Sequence, residues 1–450
     1  MSRNIIWLTL ESIRKDHLSI YGHHRETTPE LQSLVNTGEV TAFPSCYAHG
    51  IWTRASSASI LTGRALSDHR TGFDRDQLPK SVKTVPEQFS EMGYRTVGIS
   101  NNTQVSSATN LDRGFDDFHH LTRDTLLDTV PLTTIAKYLL NIRRHSAGLS
   151  QNTRTACTSY IQQDLAKREL NKHQSADDPL FLYMHLNDSH HPYWPPVTWR
   201  DTFASELPMP MNKALDLAID MSENLHARIG EGADYSEKEF TALRVLYDML
   251  IRYIDHIVAD LIAEARRKLD NPIIIVVGDH GELFGEDSLI SHTLTINDQL
   301  TNVPFMTAGI DGIEAVANEI VQPADGLQMV FNEIDADINV PAGQDLRQES
   351  REFAISEVGK GHLNDALDLI REHNPDYQPP SLPVADIRYY QSKTAKYRYA
   401  DIKHAGVDDV PSDVTDEIAD WIDEHEAERE DSDDSFDEKT MERLKDLGYV

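Results

Sequence analysis

The chain has 450 residues, of which 39% are apolar and 26% charged, and its formal net charge is −32. The apolar fraction suffices for a large core, which excludes wholesale disorder, a collagen-like repeat and a low-complexity chain. The excess of acid, 74 Asp and Glu against 42 Lys and Arg, repels phosphate backbones and excludes non-specific nucleic-acid binding.

Only 15 of the basic residues are lysine. Scarce lysine with acid spread along the chain suggests a halophile, whose acidic surface stays hydrated in concentrated salt; a merely acidic cytosolic protein is the alternative. The two cysteines, Cys46 and Cys157, form neither a disulfide framework nor a cysteine-rich metal site. The apolar stretch at residues 5–10 is too short for a secretion signal and is followed by Glu11. No run approaches the roughly 20 apolar residues of a membrane span. The expectation is a soluble, cytoplasmic protein.

In chain order, residues 4–10 (NIIWLTL) read as a buried strand ending at Glu11. Residues 29–37 have helical spacing and stop at Gly38. The small-residue stretch 52–63 (WTRASSASILTG) reads as a turn opening a helix. A helix over 85–92, a strand over 95–100 and a buried strand over 179–186 follow, the last trailing into NDSHHPY. Residues 241–268 form a long amphipathic helix, and PIIIVV at 272–277 is the clearest strand, leading into GDHGELFGED. Strands alternating with helices imply a mainly parallel sheet sandwiched by helices, an α/β fold. Function then gathers beyond the carboxyl ends of the strands, where Glu11, Asp188 and Asp279 all fall. Beyond about residue 310, strands at 353–357, 385–391 and 396–400 suggest a smaller C-terminal α+β subdomain. The expected division is 1–345 for the main domain, 346–410 for the subdomain and 411–450 for an acidic, solvated tail with a terminal helix.

The adjacent Asp279 and His280 can offer an oxygen and a nitrogen to one cation, and Glu11 adds a second carboxylate. Such donors suit Mn, Mg, Zn or Ca in different degrees, with the imidazole arguing against Ca. Each is open to a structural reading as a buried, satisfied polar group. Thr53 completes the set. A hydroxyl is a poor nucleophile at neutral pH, and a divalent cation on its oxygen favours the alkoxide without an adjacent base. Taken alone, Thr53 is a helix N-cap; a nucleophile at a helix N-terminus would also hold its anionic adduct against free N–H groups.

These segments, LTLESIRKDHLSIYG, TTPELQSLVNTG, WTRASSASILTGR, MGYRTVGISNN, LDRGFDDF, FLYMHLNDSHHPYWPP, VVGDHGELFGEDSLISH and the final KDLGYV, resemble in order the landmarks of the alkaline phosphatase/sulfatase superfamily, in its sulfatase-like branch. The resemblance implies an alkaline phosphatase-like fold and one divalent metal ion held by Glu11, Thr53, Asp279 and His280. It further implies His190 and His292 as catalytic substrate-side groups, with His69 or His185 as a further substrate contact. Arg54 and Arg64 would add positive charge near Thr53, with Arg54 either pairing with an anionic oxygen of the substrate or lying on the helix surface. Tyr247, Asp248 and Asp255 on the long helix read as structural.

The departures point away from sulfate chemistry. A sulfatase carries Cys or Ser, converted to formylglycine within C-x-P-x-R; here positions 53, 55 and 57 are Thr, Ala and Ser. A Thr nucleophile is similar to nucleotide pyrophosphatases and to phosphoglycerol or phosphoethanolamine transferases. Asp188 lacks the histidine four residues on that a two-zinc site expects, which favours one ion. Three readings follow: a phosphate-ester hydrolase or transferase acting on a small-molecule, glycan or lipid-headgroup ester; a sulfuric ester hydrolase without formylglycine; and a catalytically silent relative binding a polyanionic glycan or a protein. The oligomeric state is not legible in the sequence.

Overall fold

A computed structural model describes residues 3–148, 155–379, 384–400 and 409–426. Seven strands form the central sheet: β1 (Ile5–Leu10), β2 (Thr41–Tyr47), β3 (Arg95–Ser100), β4 (Asp117–His120), β5 (Leu180–Leu186), β6 (Ile273–Gly278) and, after a two-strand hairpin of β7 (Leu283–Phe284) and β8 (Ile290–Ser291), β9 (Asn302–Ala308). Their order is β2-β9-β6-β1-β5-β3-β4. The run from β6 to β4 is parallel. β9 alone is reversed, pairing antiparallel with both β6 and β2.

The period of two along a strand sorts the core into two layers. Ile6, Leu8 and Leu10 of β1 face one side with Ile274 and Val276 of β6 and Leu182 and Met184 of β5. The helices Glu237–Lys268 and Ser159–His173 cover that side. Ile5 and Trp7 face the other with Ile275, Val277 and Phe181, under the helices Thr53–Thr62, Val85–Glu91 and Pro323–Glu333. Burial on both faces explains why these strands read as unbroken apolar runs.

The long helix starts at Glu237, earlier than its apolar spacing predicts, because Ser236 and Glu239 form a reciprocal capping box. β10 (Phe353–Val358), β11 (Ile387–Ser392) and β12 (Lys396–Ala400) make a separate antiparallel sheet. It joins the body through Glu357, which accepts from Ser67 N at 2.9 Å and Ser67 Oγ at 3.1 Å.

Part of the expected tail is structured. Ser412–His425 is a helix whose Val414 and Ile418 are buried beside Ile355 and Tyr390. The spacing Val414, Ile418, Trp421, Ile422 supplies an apolar stripe that outweighs the acidic composition. The densest acidic run, EREDSDDSFDE, and the final KDLGYV lie outside the described residues.

The three polar residues read as structural on the long helix do anchor the N-terminal loops. The Tyr247 hydroxyl donates to Ser12 O and accepts from Arg14 N. Asp255 accepts from Glu30 N and Leu31 N at the start of the Pro29–Asn36 helix. Asp248 lies 2.6 Å from His17 Nδ1, 2.9 Å from His23 Nε2 and 2.6 Å from Arg25. Burial would push the Asp248 carboxyl up, but hydrogen bonds from His17 and His23 outweigh it and hold the group well below the usual range. Two imidazoles and a carboxylate could bind a metal ion, yet the Arg25 guanidinium already supplies the counter-charge. Asp248→Asn should cost about 3 kcal/mol at neutral pH, measured by urea unfolding. A depressed folded-state pKa stabilises above the unfolded value of about 4, so wild type and variant should converge as pH falls below it.

Candidate active site

The sheet sets the geometry. Leu10 of β1 is level with Leu186 of β5 on one side and Gly278 of β6 on the other. Glu11 and Asp279 therefore leave the sheet together, with Glu11 N on Leu186 O and Asp279 N on Leu10 O. Both side chains are fully buried. The turn after β6 is tight: a Cβ on Gly281 would stand 1.8 Å from the Gln299 carbonyl oxygen, so only glycine fits.

Thr53 is the first residue of the buried helix Thr53–Thr62, and the extended residue Trp52 is its N-cap. The N-cap reading of Thr53 therefore fails by one position, which releases the hydroxyl from capping. Thr53 Oγ1 lies 3.0 Å from Glu11 Oε1, to which it donates, and 3.2 Å from His280 Nε2. His280 Nδ1 is 2.8 Å from Gly281 O. That bond keeps the proton on Nδ1 and turns the Nε2 lone pair towards Thr53. Burial, then the neighbouring His292, hold His280 well below the usual histidine range.

Glu11 is clamped on both oxygens. Asn102 Nδ2 lies 2.8 Å from Oε1 and from Oε2, and His185 Nε2 is 2.8 Å from Oε2. Asp279 Oδ1 accepts from Ser12 N and His280 N. Its Oδ2 is buried and has no hydrogen-bond partner among the described residues. Burial and then the charge of Glu11 push the Asp279 carboxyl well above its usual range. An orphaned carboxylate oxygen beside a second carboxylate, a neutral imidazole nitrogen and a hydroxyl is a donor set that fits a divalent cation, which would relieve the repulsion between the two acids.

His190 and His292 stand beside this group, with ring centroids 5.2 Å apart and His292 4.5 Å from His280. Burial, then His190, hold His292 down to about 3. Glu282 lies behind it, its Oε1 3.5 Å from His292 Nδ1, and burial pushes its carboxyl up to about 8.

The other expected residues are engaged by partners within the protein. His69 is fully buried, with Nε2 2.9 Å from Ser59 Oγ and Nδ1 accepting from Thr71 N, so both nitrogens are used within the protein body. Arg64 pairs with Asp68 at the far end of the Thr53–Thr62 helix. Asp188 accepts from Thr158 N and Ser159 N, capping the Ser159–His173 helix rather than joining Glu11 and Asp279. Arg54 is buried next to Thr53; its Nε donates to Gln104 Oε1 at 2.7 Å and its guanidinium pairs with Asp76. His185 meets Glu11 directly, which makes it a positioning group.

Asn102 and His362 escape the sequence reading. Asn102 follows β3 at the same sheet edge, so the strand-end rule that found Asp279 could have found it. His362 comes from the helix Lys360–Arg371 and stacks on Trp52 at 4.3 Å. Burial, then His292 and Arg54, hold its imidazole down to about 3. Nothing in its local sequence marks it.

The sulfatase family model matches residues 3–331. Curated relatives include an arylsulfatase from Clostridium perfringens, 26% identical over 321 residues and covering 64% of each chain. Another is phosphoethanolamine transferase EptC of Escherichia coli, 24% identical over 285 residues, covering 62% of this chain and 40% of that one. The chain thus spans less than two thirds of the length of these relatives. Among solved structures, the phosphonate monoester hydrolase of Agrobacterium radiobacter has a TM-score of 0.64 at 15% identity, covering 90% of this chain and 88% of that one. The corresponding enzyme of Silicibacter pomeroyi gives 0.62 at 16%, covering 89% and 87%. These two likenesses are of fold. The family match extends from β1 to the helix that follows β9, and on that extent the chain belongs to the sulfatase family, with an alkaline phosphatase-like fold.

Proposed function

We propose that the protein cleaves phosphate esters, as a hydrolase or transferase, with Thr53 as the nucleophile. The observation that carries this reading is the Thr53 hydroxyl, 3.0 Å from Glu11 and 3.2 Å from His280 at the start of a buried helix. Glu11, Asp279, His280 and Thr53 would hold one divalent cation. When bound, such an ion supplies Lewis-acid stabilisation and lowers the pKa of an oxygen it coordinates.

The chain's own groups do the rest. Thr53 Oγ bonds to phosphorus as the bond from phosphorus to the leaving oxygen breaks. The Thr53 proton passes first to its hydrogen-bond acceptor, Glu11. The N–H groups of the first helical turn would face the anionic adduct. His190, or His292 once the anionic ester beside it favours the imidazolium, gives a proton to the leaving oxygen. Water or an acceptor alcohol then attacks phosphorus, its proton passing to the same histidine, while the bond from phosphorus to Thr53 Oγ breaks and Glu11 returns its proton to Thr53. Asn102 and His185 fix Glu11, as partners of a metal-bound carboxylate do. Arg54 and His190 belong to the substrate side in this reading, and His69 and His185 do not.

A sulfate ester is the second reading, favoured by the names of relatives such as the arylsulfatase. Residue 53 weighs against it, since threonine cannot yield the aldehyde that a sulfatase uses.

Thr53→Ala should abolish turnover while thermal unfolding and most metal binding persist. Quenched turnover of the wild type should leave a phosphorylated peptide containing residue 53, detected by mass spectrometry. A panel of aryl phosphates, phosphodiesters and sulfate esters, each with Mn, Mg, Zn and Ca, separates the readings: faster sulfate than phosphate cleavage would overturn ours. His292→Ala should slow alkyl esters by about 10²–10⁴-fold and 4-nitrophenyl esters far less, because a good leaving group needs no acid. Asn102→Ala should weaken metal binding about 10–100-fold in a calorimetric Mn titration.

A further inference from the structure

The large apolar side chains that stand exposed among the described residues are all leucines, and all lie in one short stretch. They are Leu127 (72%), Leu132 (76%), Leu139 (53%) and Leu140 (85%). Leu132, Leu139 and Leu140 sit at i, i+7 and i+8 of the helix Leu132–Leu140, so they share one face. The opposite face is fixed to the body: Thr134 Oγ1 donates to Asp164 at 2.6 Å, and the Tyr138 hydroxyl donates to Cys157 O at 3.0 Å. The leucines are therefore turned outward by a seated helix.

The charge of this stretch is equally unusual. Between Asp128 and Asp164 the sequence has no acidic residue, the longest such interval in a chain with 74 of them. Within it, Lys137, Arg143 and Arg144 are exposed, the two arginines directly after the leucine face.

The position is also defined. The stretch leaves the carboxyl end of β4, with Thr125 Oγ1 donating to His120 O. It returns against the segment that carries His190: Trp199 Nε1 donates to Arg144 O and Val197 N to Ser146 O. β4 and β5 are parallel to β1, so this face lies on the same rim of the sheet as Glu11.

We propose that the exposed face of residues 126–145 docks the protein on an anionic lipid surface, with the leucines in the headgroup layer and the catalytic rim turned towards it. A short amphipathic helix with exposed leucines and adjoining arginines is the pattern of an interfacial helix. An otherwise acidic body is repelled by anionic headgroups; Lys137 is paired with Asp164 at 3.0 Å, and here Arg143 and Arg144 offset that repulsion while the leucines supply the insertion. Docking does not depend on the phosphate-ester reading, and its test reads binding rather than turnover.

The experiment is flotation of the full chain with phosphatidylglycerol vesicles and with phosphatidylcholine vesicles. Wild type should float with the first and bind the second at least about tenfold more weakly. The variant L132S/L139S/L140S should bind phosphatidylglycerol at least about tenfold more weakly with an unchanged melting curve. R143Q/R144Q should lower binding at low salt and reduce its salt dependence. No flotation with either vesicle, or equal flotation of wild type and the triple serine variant, would overturn the proposal. So would a dimer in light scattering that the triple serine variant dissociates, which assigns the face to a second copy of the chain.

Discussion

Glu11 and Asp279 are two carboxyl groups buried side by side, beyond the reach of solvent screening. Much of the surrounding structure answers that constraint. β1 and β6 are neighbours at the centre of the sheet, so the two acids emerge level with each other. Asn102, His185 and Thr53 donate to or face Glu11, and the backbone of Ser12 and His280 donates to Asp279. One oxygen, Asp279 Oδ2, is left over. Buried carboxylates at this spacing repel unless a proton or a cation intervenes, which is why the same arrangement that is poor for stability is suited to binding an ion.

Thr53 shows how a generic preference yields to tertiary context. A threonine before a helix usually caps it, and here Trp52 takes that position without a side-chain bond. The displaced hydroxyl faces acid and imidazole instead. Residue 55 is constrained as well: a Cβ on Gly50 would fall 2.9 Å from the Ala55 Cβ, and one on Gly72 would fall 2.9 Å from the Ala55 nitrogen. The alanine that breaks the sulfatase motif is thus packed on two sides by glycine backbone.

What the sequence disclosed follows from burial. β1, β5 and β6 are covered on both faces and read as continuous apolar runs. β2 is an edge strand containing Pro44, with its register broken between Phe43 and Cys46, and β4 is short and polar; neither has a periodic signature. In the site, Glu11, Thr53, Asp279 and His280 were legible because charge or motif sits at a strand or helix end. Asn102 carries no charge to draw attention. His69 and Asp188 have the right chemistry but spend their polar atoms on local backbone and side chains, a distinction that only three-dimensional neighbours reveal. The acidic C-terminal stretch concealed a helix because composition dominates a weak apolar stripe.

The small antiparallel sheet has a wider meaning through the helix inserted between β10 and β11. His362 reaches from there to Trp52, the residue before the Thr53–Thr62 helix, while Glu357 locks the seam through Ser67. The group around Thr53 and the wall beside it thus come from distant stretches of one polypeptide. On the reading proposed above, natural variation in the later stretch can retune which esters are admitted while Glu11, Thr53, Asp279 and His280 stay in place, so divergence of specificity within such a scaffold needs no revision of its chemistry.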